Sequence, residues 1–379
     1  MTYKYYMPTR IISGTNCVAN NSELFKTLGE KALIVTGANS AKMNGSEKDV
    51  ISALESEGIP YVLYDRVASN PAVACAYEGA NYARANGVDF VISIGGGSPM
   101  DTGKAIALLA AQEIDESDLF SGHYENRVLP MAFVPTTAGT GSEVTQYSIL
   151  TNDTAQSKTS ITTELLFPDL AFLDPKYTVT LSVRTTVNTA MDALSHAIEG
   201  MLSVKGSFLS NALAAESIRM IMGCVPELID AVERSGKSAE KPETLITPST
   251  REKLLQASLM AGMVIAQTGT TAVHAMGYSL TYFKGIDHGR ANGLLLAGYM
   301  RLVEKAQPEL AARILGVIGL SSVNRFREFT DLLFGEKENI CEEDFKKYSG
   351  MAVKTKNMAN CIVRPTENDL TAIFLEAFT

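Results

Sequence analysis

The chain has 379 residues, of which 46% are hydrophobic and 20% charged, and its formal net charge is −9. Because one hydrophobic core stops growing at about 250–300 residues, this length predicts two domains. The acidic balance argues against binding to nucleic acid and suits a soluble metabolic enzyme. The N-terminal sequence MTYKYYMPTR lacks an apolar signal segment, no apolar run approaches the ~18 residues of a membrane span, and the five cysteines form no C-x-x-C pair. We therefore expect a cytoplasmic protein with no membrane partner and with free thiols.

Up to about residue 175, short apolar runs alternate with helical patterns. The runs that predict buried strands are 31–36 (KALIVT), 61–64 (YVLY), 89–94 (DFVISI), 131–135 (MAFVP) and 170–173 (LAFL). Helical patterns lie between several of them, as at 47–57 and 72–85. Such alternation predicts a parallel sheet that is covered by helices on both faces.

Beyond residue 181 the strand signal is weak and helical periodicity takes over. The predicted helices span 186–203, 208–232, 250–266, 291–303 and 368–378. The polar stretch 235–249 predicts an exposed loop between helices. We therefore predict an α/β domain over residues 1–180 and an all-α domain over residues 181–379.

A glycine-rich segment follows the predicted strand 89–94 and precedes a helical run. It comprises Gly95, Gly96 and Gly97, followed by Ser98 and Asp101. Glycines bring bare N–H groups close to an anion, and the helix adds the positive end of its dipole, so the segment predicts a diphosphate-binding loop. It is not the Gly-x-Gly-x-x-Gly fingerprint, and the alternative is a tight turn in which Ser98 or Asp101 caps the helix.

A second polar loop follows the next predicted strand, 131–135. Its hydroxyl-bearing residues are Thr136, Thr137, Thr140 and Ser142. Hydroxyls at this density suit hydrogen bonds to ribose, phosphate and carboxamide groups, although a surface turn is the alternative. Both loops lie at carboxyl ends of predicted parallel strands, where open α/β sheets bind ligands.

Three of the four histidines accompany an aspartate in one pattern. Asp192 and His196 share a face of the predicted helix 186–203, and His274 and His288 follow about eighty residues later. One carboxylate and three imidazoles suit Fe²⁺, Zn²⁺ or Mn²⁺. By itself an Asp-x-x-x-His on a helix is more often a surface charge pair, and the fourth histidine, His123, lies in a polar segment that predicts solvation.

The segments VISIGGGSPMDTGKAIA, VPTTAGTGSEVT and MDALSHAIEG and the H-x13-H pair together resemble the iron-containing alcohol dehydrogenase family, nearly end to end. The resemblance implies a Rossmann-like domain and a helical domain, as in dehydroquinate synthase, and a homodimer by default. It implies a nicotinamide dinucleotide on the first domain, a metal on the second and the substrate between them. The family's ligand positions match Asp192, His196, His274 and His288, which we take as catalytic metal ligands. Four protein ligands plus a substrate oxygen suit Fe²⁺ better than Zn²⁺, although Zn²⁺ competes on affinity.

The sequence departs from the family pattern after the strand 31–36, where many members have an aspartate and this chain has Gly37. That aspartate binds the adenosine ribose and repels a 2′-phosphate, whereas here Asn39 and Ser40 can donate hydrogen bonds and Lys42 adds positive charge. The change favours NADP over NAD, and the alternative is that both cofactors bind. The predicted cofactor-binding set also includes Asn70, Pro71 and Lys158.

The second departure is Tyr278, at a position where family members commonly have another histidine. It lies four residues after His274 and shares its helix face. Because a phenol with an ordinary pKa of about 10 is a poor base at neutral pH, a histidine proton relay is in doubt at this position.

These residues predict a metal-dependent alcohol dehydrogenase or aldehyde reductase that acts on a small primary alcohol or aldehyde with NADP(H). The metal polarises the substrate oxygen, and hydride passes directly between substrate and nicotinamide. The alternatives are a lyase like dehydroquinate synthase, polyol oxidation as in glycerol dehydrogenase, a metal-dependent hydrolase and a non-catalytic nucleotide-binding module.

Overall fold

The computed structural model describes residues 2–235 and 242–378. The chain forms two compact units, one of Met7–Leu181 and one of Met1–Tyr6 together with Ser182–Thr379. The N-terminal segment is tied to the second unit by Gln267. Its side chain accepts a hydrogen bond from the Tyr6 backbone N–H (3.0 Å) and donates one to the Tyr6 carbonyl (2.8 Å).

The first unit is built on an all-parallel sheet with the strand order β1-β8-β5-β4-β2-β3, and β6 and β7 form a separate antiparallel hairpin. The strands in the described part of the chain are β1 (Arg10–Ser13), β2 (Ala32–Thr36), β3 (Tyr61–Tyr64), β4 (Phe90–Gly95), β5 (Met131–Pro135), β6 (Tyr147–Asn152), β7 (Ser157–Thr162) and β8 (Leu170–Leu173). The predicted parallel sheet is therefore confirmed, and β1, β6 and β7 are additional to the prediction.

The helices are α1 (Ser40–Asn44), α2 (Ser46–Ser56), α3 (Val73–Ala85), α4 (Gly97–Ala111), α5 (Val183–Met201), α6 (Phe208–Ser235), α7 (Pro242–Leu245), α8 (Pro248–Thr268), α9 (Ala272–Lys284), α10 (His288–Ala306), α11 (Pro308–Ile318), α12 (Val323–Phe334), α13 (Glu342–Ala352) and α14 (Glu367–Phe378). The predicted helical second half is confirmed. The predicted loop 235–249 is wrong in part, because α7 and the start of α8 lie within it, and residues 236–241 lie outside the described residues.

Helices cover both faces of the parallel sheet, because alternate strand residues point to opposite sides. Ala32 and Ile34 of β2 pack in a cluster with residues of α1 and α2. Leu33 and Val35 pack in another with residues of α3 and α4. Burial on both faces explains why these strands have continuous apolar sequences rather than alternating ones.

The direction in which successive strands are added to the sheet reverses between β2 and β4. From β2 the chain moves outward to β3, whereas from β4 it moves the other way to β5. Ligands of open α/β sheets bind at the carboxyl ends of strands that flank such a reversal, which here are β2 and β4. Among the described helices, none is long and apolar enough to cross a membrane.

Candidate functional site

The second unit is organised around α5, a helix that is buried on every side from Ala190 to its end. All residues from Ala190 to Met201 are buried, and α5 packs against α6, α8 and α10. Ser182 begins the helix by accepting a hydrogen bond from the backbone N–H of Thr185. A buried helix that carries Asp192 and His196 excludes the surface-pair alternative for these two residues, because their exposed fractions are only 3% and 4%.

Side chains from three helices converge beside Asp192. The Asp192 Oδ1 atom lies 4.0 Å from His196 Nε2 on α5 and 3.8 Å from His274 Nε2 on α9. The ligand atoms of these three residues all lie within 4.8 Å of one another, close enough to hold one metal ion. His288, the first residue of α10, adds its ring 5.2 Å from the ring of His274. We call these four predicted ligands the metal-ligand cluster.

A residue that sequence reasoning missed, Asn292, lies inside this cluster. Its Nδ2 atom is 2.9 Å from Asp192 Oδ1, 3.1 Å from His274 Nε2 and 3.2 Å from His288 Nε2. Its Oδ1 atom is buried and has no hydrogen-bond partner. Asn292 follows His288 by four residues on α10, and this i, i+4 spacing is the signal that could have revealed it.

The start of α10 lies very close to α5. Asp287 caps the helix by accepting a hydrogen bond of 3.1 Å from the backbone N–H of Gly289. A Cβ atom on Gly289 would lie 1.9 Å from the carbonyl oxygen of Asn188 and 3.0 Å from Cβ of Asp192. A glycine is therefore required at this helix contact, which brings His288 and Asn292 to Asp192.

In the first unit, the glycine-rich segment packs directly against the second polar loop. Gly95 ends β4 with a φ of 149°, and α4 begins at Gly97. A Cβ atom on Gly96 would lie 3.0 Å from Thr137 Oγ1, and one on Gly97 would lie 2.9 Å from Thr140 Cγ2. The two loops therefore form one surface at the carboxyl ends of β4 and β5, further joined by a hydrogen bond of 2.9 Å from Thr136 N–H to the Gly95 carbonyl.

Ser98 connects this surface to the segment after β3. Its hydroxyl accepts a hydrogen bond of 3.2 Å from the backbone N–H of Asn70, whose own φ is 55°. Thr151 on β6 holds the same segment, with its Oγ1 donating to the Asn70 carbonyl and its N–H donating to the Pro71 carbonyl. Lys158 lies half-buried on the paired strand β7. The predicted residues Ser98, Asn70 and Pro71 thus lie together.

Asp101 and Ser142 participate in an internal network instead of facing an open surface. Ser142 Oγ donates a hydrogen bond of 2.7 Å to Asp101 Oδ1, and the backbone N–H of Ile149 donates to Asp101 Oδ2 (3.1 Å). The fully buried Lys104 donates to the carbonyl oxygens of Ser142, Thr145 and Tyr147 at 2.7–2.9 Å. Burial lowers the pKa of Lys104 to about 8. The network fastens α4 to the loop before β6, and cofactor binding by Asp101 and Ser142 stays a prediction.

Two family models match this chain in succession. Residues 8–175 match "Iron-containing alcohol dehydrogenase", and residues 186–378 match "Fe-containing alcohol dehydrogenase family, C-terminal". The chain belongs to the iron-containing alcohol dehydrogenase family. It is consequently an enzyme of a family of oxidoreductases that use a metal and a nicotinamide cofactor.

Relatives in this alcohol dehydrogenase family match the chain over almost its whole length. A 1,3-propanediol dehydrogenase from Citrobacter freundii is 30% identical, covering 99% of each chain. The crystal structure of an iron-containing alcohol dehydrogenase from Thermotoga maritima is 37% identical with a TM-score of 0.88, covering 100% of this chain and 99% of that one. A sulfoacetaldehyde reductase from Bifidobacterium kashiwanohense, solved in complex with NAD⁺, is 28% identical with a TM-score of 0.85 and the same coverage.

Tyr278, the departure from the family pattern in the second unit, lies against the metal-ligand cluster. Its ring stacks on His288 with centroids 5.6 Å apart and an angle of 7° between the planes, and it meets His274 edge-on at 6.4 Å. The phenol ring is therefore placed to support the orientation of His288 by stacking.

Gly37 is the other position at which the chain departs from the family pattern. The sequence predicted that Lys42 adds positive charge near it, and the structure differs on this point. Lys42 is paired with Asp65, with its Nζ 2.8 Å from Asp65 Oδ2. Asp65 directly follows β3, the strand that pairs with β2 and ends beside Gly37. The positive charge of Lys42 is consequently balanced by a carboxylate that sequence reasoning missed, while Asn39 and Ser40 are exposed.

Proposed function

We propose that this protein is a metal-dependent alcohol dehydrogenase or aldehyde reductase that acts on a small primary alcohol or aldehyde. The observation that carries the proposal is the convergence of the Asp192, His196 and His274 ligand atoms within 4.8 Å in a buried part of an alcohol dehydrogenase fold. A carboxylate and imidazoles are a donor set that fits Fe²⁺ and Zn²⁺. Asp192, His196, His274 and His288 would hold the ion.

The residues of the two candidate sites have different roles in the reaction. Alcohol oxidation transfers a hydride from carbon to the nicotinamide and releases a proton from oxygen, giving the aldehyde. A metal held by the four ligands supplies Lewis acidity to the substrate oxygen. Tyr278 keeps the His288 ring in place by stacking, and the burial of Asp192, His196 and His274 limits the access of bulk water. The loops at Gly95–Gly97 and at Thr136–Thr140 bind the diphosphate of the cofactor through backbone N–H groups and hydroxyls.

The proposal includes a preference for NADP(H) over NAD(H). The residue after β2 is Gly37, so no carboxylate projects from the end of this strand toward a 2′-phosphate. Exposed Asn39 and Ser40 offer hydrogen-bond donors beside it. The Lys42–Asp65 pair limits the attraction that Lys42 can add, so we expect a moderate preference.

The direct test is NADPH oxidation by purified protein with short aldehydes, after chelation and reloading with Fe²⁺ or Zn²⁺. We expect turnover only in the reloaded protein. His274→Ala should lose metal retention and turnover together, since one of four converging ligands is removed. His123→Ala is the matched control, because His123 is exposed and lies outside the metal-ligand cluster. Full metal content in His274→Ala would contradict the assignment of this ligand.

A further inference from the structure

Glu199 is a buried carboxylate that shares a stripe of α5 with two of the metal ligands. It follows His196 by three residues and Asp192 by seven, and these spacings place all three on one helix face. Its exposed fraction is 0%. Because a buried charge is costly unless it is well paired, its contacts identify what it does.

The carboxylate of Glu199 contacts the start of α9, at Thr271 and His274. Its Oε1 atom accepts hydrogen bonds from the Thr271 N–H at 2.7 Å, the Thr271 hydroxyl at 2.6 Å and the His274 N–H at 3.4 Å. Its Oε2 atom contacts His274 Nδ1. Thr271 precedes α9 without a side-chain cap of its own, so Glu199 caps this helix from α5 and its charge complements the helix dipole.

The same carboxylate determines which ring nitrogen of His274 carries the proton. An ionised carboxylate only accepts hydrogen bonds, so Nδ1 must carry the hydrogen. In a neutral imidazole Nε2 is then bare, and Nε2 is the atom 3.1 Å from Asn292 Nδ2 and 3.8 Å from Asp192 Oδ1. The Asn292 amide N–H₂ is a donor only and needs that bare nitrogen. Two partners on opposite sides of the ring thus require the same tautomer.

We propose that Glu199 is a positioning residue that fixes His274 in its Nδ1–H tautomer and so holds Nε2 ready as a metal ligand. The inference rests on the proposed metal site, although the tautomer itself does not depend on a bound ion. Partners of this kind orient ligating histidines and raise their basicity, and their loss typically costs about 10- to 100-fold in metal affinity.

The test begins with the ¹⁵N spectrum of the metal-free protein, in which only four histidines contribute imidazole signals. The wild type should show His274 with hydrogen on Nδ1. In Glu199→Gln the amide N–H₂ can donate to Nδ1, so we expect the proton to move to Nε2 and the affinity for Fe²⁺ or Zn²⁺ to fall by about 10- to 100-fold. Thr271→Val is the control, because it removes one hydroxyl contact of Glu199 and leaves the carboxylate on His274.

The control should lower the melting temperature without changing the tautomer or the metal affinity. A wild-type spectrum with the hydrogen on Nε2, or wild-type affinity in folded Glu199→Gln, would overturn the inference. If Glu199→Gln does not fold, the wild-type spectrum still shows which ring nitrogen of His274 carries the hydrogen. If His274 has the expected tautomer and the wild type binds neither metal, the proposed metal site fails and the positioning of His274 by Glu199 stands.

Discussion

At the scale of single residues, the proposed preference for NADP(H) depends on the balance of charges around Gly37. The Lys42–Asp65 pair joins α1, the helix that follows β2, to the carboxyl end of β3, and both side chains are partly exposed. Asp65 therefore supplies some of the negative charge that a carboxylate at position 37 would have supplied. The proposed selectivity between NADPH and NADH then depends on positions 37 and 65, and each can be changed separately.

We expect Gly37→Asp to lower the kcat/KM ratio for NADPH over NADH by roughly ten- to a hundredfold, because a carboxylate near a phosphate is repulsive even when solvent screens it. A Cβ atom at this position would lie 3.2 Å from the Val67 carbonyl, so the backbone must shift only slightly. Unchanged kinetics with both cofactors would mean that the 2′-phosphate binds elsewhere.

Asp65→Asn should act in the opposite direction and raise the NADPH preference several-fold, since it releases Lys42 from its partner. The control is Glu78→Gln, which breaks the exposed Arg66–Glu78 pair at 2.6 Å and removes the same charge. Steady-state kinetics at low and high salt should show the effect shrinking as salt screens it. If both substitutions changed the NADPH preference equally, the change in net charge alone would explain the effect, and the Lys42–Asp65 pair would have no specific role.

Glu143 predicts a pH dependence of stability. Burial raises its pKa to about 7 from 4.5, and its Oε1 atom has no hydrogen-bond partner. The folded protein therefore binds a proton that the unfolded chain releases, so this stabilisation is full below about pH 4.5 and is lost as pH rises through about 7. Glu143→Gln stays neutral, so its melting temperature relative to wild type should rise between about pH 5 and pH 7.5. Exposed Glu164→Gln should show no such trend.

The sequence predicted candidate site residues of chemically distinctive types. It missed residues whose roles depend on which side chains surround them in the folded protein. Asp192, His196, His274 and His288 are conspicuous because histidine is rare here. Glu199, Asn292 and Asp65 are common residue types, and only their burial and contacts distinguish them. The pairing of Lys42 with Asp65 joins helix α1 to the residue that follows β3, and a one-dimensional pattern does not reveal such a contact.

At the scale of secondary-structure elements, predictions succeeded where burial gives a strong pattern. The strands β2, β3, β4, β5 and β8 and the helix α5 were predicted within a few residues because they are largely apolar. By contrast, β1 is a four-residue edge strand, and the hairpin strands β6 and β7 (YSILTN and SKTSIT) are rich in Ser and Thr. Their pairing partners, rather than their own composition, determine their conformation.

The contact between α5 and α10 gives a prediction at this scale. Gly289→Ala would place a methyl group 1.9 Å from the Asn188 carbonyl, and a backbone atom cannot move aside cheaply. We expect a lower melting temperature and weaker metal binding, because His288 and Asn292 move away from Asp192. The control is Gly316→Ala on α11, where a Cβ atom meets nothing within 4 Å. Normal metal affinity in Gly289→Ala would show that the spacing of these helices does not determine the geometry of the metal-ligand cluster.

At the scale of the whole molecule, the two candidate sites belong to different compact units. Their ligands should therefore protect different segments from hydrogen exchange. The four proposed metal ligands come from α5, α9 and α10 of the second unit, whereas the glycine-rich segment and Gly37 lie in the first. A metal at a hundred times its dissociation constant stabilises the state that binds it by about 2.7 kcal/mol. Hydrogen exchange should therefore quicken in α5, α9 and α10 when a chelator removes the metal. NADPH should instead slow exchange in residues 95–101 and 136–142. Equal changes in β2 and β4 on chelation would contradict a metal site confined to the helical unit.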